Sequence, residues 1–426
     1  MHQPTALKTL KLKFSGERRL RQGHPWIFSN ELENIDRTIS PGEICGVLFN
    51  SGRSAGVGFF NPHSLIAVRL LNADTLELED NFVGARLKKA MEYRKSLGVT
   101  ESGRMFFGES DGLPGLIVDK YGDVLVVETV SAGAELLKDS ITKQLCALYK
   151  PKGIYYLNTH EFRKLEGLPL YSETAYGEVP EKVLITENGL KYEIPLTSGQ
   201  PRSFGSEAKA DGSTLMPIGD SYAPKGRGQK TGWYFDQREN RAFLAPWFRD
   251  RKVLDLYTYL GAFAVTAAAA GAKAVWGVDS SAAAVALAEK NAALNGLKGK
   301  ALFRKEDAER VLSALENGEL PERPDFILLD PPNFVRSRKN LNQAAKLLVK
   351  LNSRAMAGLP AGGLLAFSSC SHHISREIFL EILGEAASRA RKKAVLLELR
   401  AQAKDHPILL NMPETEYLHF ALLRLQ

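Results

Sequence analysis

Two short segments carry the side chains whose types and order could do covalent chemistry on a flat ring. Leu329-Asp330-Pro331-Pro332-Asn333-Phe334 closes an apolar run with an acid and two prolines, and Phe367-Ser368-Ser369-Cys370-Ser371-His372-His373 closes another with a lone cysteine. Such runs read as buried strands, and two strand tips of one sheet can face one pocket. A thiolate is a nucleophile where a thiol is not. Its attack on C6 of a pyrimidine makes C5, otherwise a poor nucleophile, enamine-like and able to take a methyl group. Cys370 is the candidate for that attack. Asp330, protonated or hydrogen-bonded at N3, would offset charge on the ring. Pro331 and Pro332 stiffen the loop and remove two donors. Asn333 would add a polar contact and Phe334 a stacking face. A base reaches such a pocket only when flipped from its stack. A helix expected to start at Ser375 would lower the pKa of Cys370 through its N-terminus. Cys45 and Cys146, inside apolar strand and helix patterns, read as structural, and His372 and His373 have no assigned part.

The elements that must position this pair follow from patterning. From Val253 onward strands and helices alternate: Val253–Tyr257, Ala274–Asp279, Phe326–Asp330 and Gly363–Phe367 are strand-like, and Ala262–Ala270 and Ala282–Leu294 are Ala-rich helix formers. That alternation predicts an α/β fold with a parallel, doubly wound sheet. Residues 1–75 read instead as short strands (Leu10–Phe14, Ile44–Phe49, Leu65–Leu71) between glycines, a small β-barrel. Residues 76–195 read as a middle α+β domain, with a helix over 81–98, a hairpin around Lys120-Tyr121-Gly122-Asp123, a helix over 134–149 and a strand near Ile154–Leu157. Residues 196–426 form the third domain, which begins with a Gly-, Ser- and Pro-rich insertion near 197–229. A structureless segment of that length is usually functional or disordered.

Open α/β sheets bind ligands at the carboxyl ends of their strands. Those ends here carry Asp255, Asp279, Asp307 and Asp330. Asp279 lies about twenty residues beyond Gly261, the spacing at which a carboxylate reaches a ribose diol. Asp307 could accept from an adenine amino group. The turn from Tyr257 through Gly261 to Phe263 has one glycine where a pyrophosphate fingerprint needs three. S-adenosylmethionine carries no phosphate, so the pattern favours a methyl donor over a nicotinamide. Against this stands the plain alternative that each acid caps a helix or pairs with a base.

The 426 residues suggest about three domains. Lys and Arg number 56 against 49 Asp and Glu, a formal charge of +7, which favours a polyanionic partner. The distribution is more telling: Lys11, Arg18, Arg19 and Arg21 cluster near the N-terminus, and Arg336 and Arg338 follow the Asp-Pro-Pro motif, where basic groups would hold phosphates around a target base. A solvated charged face is the bland alternative. Three cysteines without a Cys-x-x-Cys pair imply neither a disulfide framework nor a structural metal. With no membrane-spanning apolar run and no apolar leader at Met1, a cytoplasmic protein is expected.

In combination these motifs resemble the class I S-adenosylmethionine-dependent 23S ribosomal RNA cytosine-5 methyltransferases of the large-subunit methyltransferase I type, over nearly the whole chain. Gly23-His24-Pro25-Trp26-Ile27-Phe28-Ser29 is similar to that family's N-terminal PUA-type RNA-binding domain, and Asp111–Asp119 to its middle domain. Gly228–Arg238 is similar to the segment entering its catalytic domain, which implies that Lys230, Asp236 and Arg238 border the donor site. The Asp330 and Cys370 segments match its paired catalytic motifs. The resemblance implies a Rossmann-like class I methyltransferase sheet, S-adenosyl-L-methionine as cofactor, cytosine in large-subunit ribosomal RNA as substrate and Cys370 as nucleophile. A homodimer is left open. Two departures are Gly199-Gln200, split from Gly228-Gln229-Lys230 by the insertion, and Leu260 where a Thr is common. Other readings of the same residues are a methyltransferase acting on a guanine nitrogen or an exocyclic amine, which needs no thiol, and a non-catalytic RNA-binding assembly factor. A hydride-transferring enzyme is more remote.

Overall fold

In the computed structural model the described residues are 7–197, 231–335 and 338–426. The expected insertion at 197–229 lies almost wholly outside them. The chain forms two compact units, one made of residues 1–181 with 404–415 and the other of 182–403 with 416–426. Among the described residues no helix is long and apolar enough to cross a membrane.

The first unit holds two five-stranded sheets. In one, Thr9–Lys11, Ile44–Leu48, Ser54–Phe60, Ile66–Ala73 and Trp26–Phe28 follow in that spatial order. Its two edges meet through the bridge Leu12↔Leu32 and through Glu33 N–H donating to the Lys11 carbonyl at 2.8 Å, which gives the sheet its barrel-like closure. The first strand is shorter than alternation over Leu10–Phe14 suggests. Phe14 instead opens a helix, Phe14–Arg21, whose last turn collects Arg18, Arg19 and Arg21 where the helix dipole favours cations. The second sheet runs Tyr171–Gly177, Gly153–Asn158, Val124–Thr129, Leu116–Tyr121, Ser102–Phe107, with helix Phe82–Ser96 as expected. The helix expected over 134–149 is two, Ala132–Leu136 and Lys138–Tyr149, hinged at Leu137. The buried Glu166 ties the two sheets: it receives Asn61 Nδ2 (3.0 Å), Ser64 Oγ (2.9 Å) and Arg69 Nη2 (3.1 Å) on one side and Ala132 N–H (3.3 Å) on the other.

The second unit is built on a seven-stranded sheet. Its strands are β1 (Lys252–Leu256), β2 (Ala274–Asp279), β3 (Ala301–Lys305), β4 (Phe326–Leu329), β5 (Leu364–Cys370), β6 (Ala394–Arg400) and β7 (Leu418–Leu425). Their spatial order is β3-β2-β1-β4-β5-β7-β6, with β7 antiparallel to both neighbours. Helices α1 (Ala262–Ala269) and α2 (Ala282–Leu294) pack together at one part of the sheet, and α3 (Ala308–Glu316), α4 (Leu341–Gly358) and α5 (Arg376–Arg389) form another layer. Near-continuous apolar strands such as Phe326-Ile327-Leu328-Leu329, all buried, are what a sheet covered on both faces requires.

Residues 182–195, which the expected bounds of 76–195 put in the middle domain, form the hairpin Lys182–Glu187/Leu190–Pro195 and group with this sheet. Its buried face is the reason. Tyr192 packs tilted against Trp233, ring centroids 4.6 Å apart, and Glu193 N–H donates to Asn291 Oδ1 of α2 at 2.8 Å. At the hairpin's turn Glu187 is 4% exposed and receives Arg241 Nε (2.6 Å), Arg241 Nη2 (2.9 Å) and Trp233 Nε1 (2.8 Å). Burial, the largest single cause, lowers the pKa of Arg241, but the Glu187 charge and hydrogen bonds, with Tyr192 and Asp236, together outweigh it and raise it. Breaking one side of such a buried pair typically costs about 3–5 kcal/mol, because the partner charge is left alone. Glu187→Ala is therefore expected to lower stability by that order in equilibrium urea unfolding; a loss under ~1 kcal/mol would show that the pair does not hold the hairpin.

Candidate active site

The spatial order of the sheet reverses between β1 and β4, and ligand crevices of open α/β sheets form at such a point. The strand ends there are in register: Leu256 lies beside Leu329, and Leu329 beside Phe367. Asp330 follows directly from β4, and Cys370 is the last residue of β5. Alternation along β5 puts Ser368 on the same face as Cys370. Ser368 Oγ donates to Asp330 Oδ1, so the two sequence-predicted catalytic segments are joined by a hydrogen bond. Gln237 Nε2 donates to the same oxygen at 3.3 Å. Tyr234 lies within electrostatic reach of both predicted catalytic groups. Burial pushes its phenol well above the ordinary value, and negative charge at Cys370, Tyr259, Asp330 and Asp236 adds to the shift.

Cys370 is half-buried, paired in the sheet with Leu418. Helix α5 starts at Arg376, capped by Ser375 Oγ on Ile378 N–H (3.4 Å). Residues 371–375 thus separate the thiol from the helix's first turn, where the dipole field is concentrated; the expected helix-terminus activation does not follow from this placement. His372 is exposed, with its ring 5.4 Å from Tyr417, and Tyr417 Oη donates to Asp236 Oδ2 at 2.8 Å.

The four acids sit at the ends of β1 to β4 as expected, but their surroundings differ. Asp255 is buried in its own turn: Oδ2 receives Thr258 Oγ1 (2.6 Å) and Ala264 N–H (3.0 Å), while Oδ1 has no hydrogen-bond partner among the described residues. Asp279 receives Tyr259 N–H on Oδ2 (3.0 Å) and Ser281 N–H on Oδ1 (2.9 Å). Between them the turn holds Tyr257 (φ 65°), Tyr259 (φ 51°) and Gly261 (φ 80°) in left-handed backbone. For the two tyrosines that conformation costs on the order of 1–3 kcal/mol each, and it persists because the flanking carboxylates bond the turn's donors. Gly261 meets a further demand, since a Cβ there would lie 2.9 Å from Ala288 Cβ and 3.1 Å from the Phe303 ring. Asp307 is exposed and caps α3 through Arg310 N–H (3.1 Å), the alternative role weighed for it.

Other expected contacts are redirected by packing. Phe263 is 5% exposed with the Arg241 guanidinium 5.7 Å over its ring, which makes it a core residue. Tyr257 is half-buried against the core, and burial raises its phenol pKa. Asp236 is 2% exposed and Arg238 lies 5.7 Å over Phe235. Pro331 is buried and Pro332 exposed. Asn333 Oδ1 closes a turn on Val335 N–H (2.9 Å), and Phe334 packs partly onto the core instead of presenting an open stacking face. Lys230 and Arg336 lie outside the described residues, and of Arg338 only the backbone is described. In the first unit Lys11 pairs with Glu33 (3.1 Å), Arg19 with Glu31 (2.8 Å) and Arg21 with Glu17 (2.8 Å), while Arg18 is exposed and has no ion-pair partner among the described residues.

Tyr234, Gln237 and Ser368 are the site residues that sequence reasoning missed. The period-two pattern of β5 could have found Ser368; Tyr234 and Gln237 lie within the segment 228–238 on which the resemblance rests, but nothing in their residue types gave either a role.

A carboxylate-rich rim with one structural glycine suits S-adenosylmethionine. That molecule is a sulfonium cation bearing ribose hydroxyls and amino groups, all of which an acid can accept or attract. A pyrophosphate would be repelled by the same acids and would find no glycine nest. The comparisons agree on the class. A family pattern described as S-adenosylmethionine-dependent methyltransferase matches residues 222–399, and one for a PUA-like domain matches 10–73. The fold is shared with a proposed SAM-dependent methyltransferase from Streptococcus mutans (TM-score 0.78, 21% identity, covering 98% of this chain and all of that one). Another neighbour, solved with SAH, has a TM-score of 0.80 at 20% identity and covers 98% of this chain and 100% of that one. The molecule is thus an S-adenosylmethionine-dependent methyltransferase with a PUA-like domain.

Among curated relatives, ribosomal RNA large subunit methyltransferase I of Shewanella denitrificans is 33% identical, with 96% of this chain and 97% of that one covered. The protein of the same name from Aeromonas salmonicida is 35% identical over the same shares. The chain belongs to the ribosomal RNA large subunit methyltransferase I family.

Asp255 gives the site a pH signature. Burial, the dominant cause, and the nearby charges of Asp330 and Asp279 push its carboxyl up to about 7 from 3.8, against the lowering effect of Thr258 and Ala264. The folded state therefore holds this proton where the unfolded chain has lost it. Stability from this group is lost as pH rises between about 4 and 7, by at most about 4 kcal/mol at 1.36 kcal/mol per unit. Asp255→Asn keeps an acceptor for Thr258 and Ala264 and cannot ionise. Its melting temperature relative to the parent is expected to rise from about pH 4 to about pH 7 and then level off; a difference independent of pH would rule out a buried titrating carboxyl.

Proposed function

We propose that the protein transfers a methyl group to C5 of a cytosine in large-subunit ribosomal RNA through a transient bond between Cys370 and C6. The observation that carries this reading is the pairing of β5 and β4 at their carboxyl ends, with Ser368 linking the Cys370 strand to Asp330. A methyltransferase of ring nitrogens or exocyclic amines has no use for a thiol at that point. The ribosomal target rests on the names of the relatives.

S-adenosylmethionine, when bound, supplies an electrophilic methyl group. Asp279, with the turn from Tyr257 to Gly261, is the candidate holder of its ribose, and Asp307, Asp236, Arg238 and Lys230 are candidate neighbours. The chain's own residues account for the rest. The Cys370 sulfur gives an electron pair to C6, and the C5–C6 π electrons move to C5. Asp330 stabilises the ring at its N3 edge while C5 acts as nucleophile. After methylation the C5 proton leaves to water, the C5–C6 double bond re-forms, and the sulfur departs with its bonding pair. Burial holds Tyr234 as a neutral phenol within electrostatic reach of the thiol and the acid. Pro331 and Pro332 keep the approach rigid, and the basic residues Arg336, Arg338, Lys11, Arg18, Arg19 and Arg21 are candidates for phosphate contacts. The ion pairs of Lys11, Arg19 and Arg21 make Arg18 the strongest of the last four.

The test uses donor labelled in its methyl group and unmodified ribosomal RNA. Label is expected in 5-methylcytosine alone, and Cys370→Ala is expected to lose at least 10³-fold in single-turnover rate, the scale on which nucleophile removal acts. Label in any other base, or a Cys370→Ala variant of near-parental rate, sinks the proposal.

A further inference from the structure

The acid at the site is the terminus of a buried polar chain. Gln237 is 2% exposed and Asn240 fully buried. Gln237 Nε2 donates to Asp330 Oδ1 (3.3 Å), Asn240 Nδ2 donates to Gln237 Oε1 (2.8 Å), and Arg400 Nε donates to Asn240 Oδ1 (3.0 Å). Asn240 Nδ2 also reaches the Ala401 carbonyl at 3.3 Å. Amide orientation is ordinarily ambiguous, because the oxygen and nitrogen of Asn and Gln look alike. Here it is forced. A guanidinium has donors only, so Asn240 must turn its oxygen to Arg400 and its amide nitrogen to Gln237. The Ala401 carbonyl, an acceptor only, demands the same. Gln237 must then present its oxygen to Asn240 and its nitrogen to Asp330. Arg400 is itself fixed over the Phe243 ring (4.8 Å) and beside Glu398 (3.3 Å).

We infer that Gln237 and Asn240 are positioning residues that transmit the donor polarity of Arg400 to Asp330, holding Oδ1 as a permanent acceptor so that any proton Asp330 carries during the reaction resides on Oδ2. An amide nitrogen cannot accept a proton from Oδ1, and its N–H stabilises the ionised carboxylate. With Ser368 Oγ donating to the same oxygen, the relay leaves Oδ2 as the oxygen that can meet the ring as an acid, and its N–H bears on the pH at which it does so. Among the described residues Asp330 acts electrostatically on Asp255 of β1, which Asp279 of β2 also reaches, and on Tyr234, which Cys370 of β5, Tyr259 and Asp236 also reach. Of these, Tyr234 and Asp236 lie on the segment that carries the relay. The inference rests on the proposed function only for the identity of the ring that Asp330 serves.

Isosteric changes that reverse polarity test it. Asn240→Asp keeps shape and the contact to Arg400 but offers Gln237 an acceptor in place of a donor. Gln237→Glu replaces the last N–H by a carboxylate facing Asp330, and Gln237→Met removes it. Single-turnover methyl transfer from pH 5 to 9 is measured for each, with thermal melting and donor affinity as controls of folding. Gln237→Glu is expected to move the acid limb of the profile upward by a unit or more. Gln237→Met and Asn240→Asp are expected to lose about tenfold or more in rate at neutral pH with donor affinity unchanged. If Asn240→Asp does not fold, Gln237→Met and Gln237→Glu decide alone. Folded Gln237 variants with the parental rate and acid limb overturn the relay. That result leaves the cytosine reading standing if Cys370→Ala is dead, whereas an active Cys370→Ala with a shifted Gln237→Glu profile removes the cytosine reading and keeps the relay.

Discussion

A single buried carboxylate determines where much of the site can be. Glu187 binds the indole of Trp233 and two nitrogens of Arg241, and Arg241 in turn binds the Tyr234 carbonyl at 2.8 Å through Nη2. The backbone from 233 to 241, with little regular structure of its own before residue 238, is thereby pinned at both ends. It carries Tyr234, Asp236, Gln237 and Asn240. Pinning restricts their freedom in advance, as preorganisation of a site requires. The guanidinium lies 5.1 Å over Trp233 and 5.7 Å over Phe263, so α1 and the donor-site turn are indexed to the same group.

The carboxyl edge of the sheet concentrates acids for two different reasons. Asp255 and Asp279 spend acceptors on backbone and hydroxyl donors of the turn between them, and that turn could not otherwise keep two tyrosines in left-handed conformation. Asp330 accepts from side chains of other elements instead. The first two hold a turn together, and the third ties its strand end to other elements. The difference in job is written in the partner type and not in the residue type.

This also explains what the sequence could and could not say. The five parallel strands were legible, or nearly so, because strands covered on both faces leave unbroken apolar runs, and the two motifs of Asp330 and Cys370 stood at the ends of such runs. β6 and β7 were not legible, since β6 mixes Glu398 and Arg400 into a half-covered strand and its partner lies beyond a long connection. Asp307 shows the limit of residue type: one Asp at a strand end satisfies the demands of a helix cap and of a ligand equally well until its neighbours are known. Gln237 was invisible for a further reason. Its meaning comes from Arg400, far along the chain, and long-range donor polarity leaves no local pattern. Likewise, only the partners Glu33, Glu31 and Glu17 distinguish Arg18 from its basic neighbours.

The excursion of residues 404–415 out of the sheet unit has a consequence for the order of events during synthesis. Asp405 supplies an acceptor to Arg104 N–H (2.9 Å) and its carbonyl to Arg94 Nη2 (2.7 Å), while Glu414 meets His24 at 3.2 Å. These bonds belong to a unit whose other residues all precede 182. The N-terminal unit is therefore synthesised before the segment that completes it, and the buried Arg94 lacks one of its acceptors until residue 405 has been made. A chain cut before residue 404 would lack residues of both units at once, 404–415 from the one and 416–426 from the other.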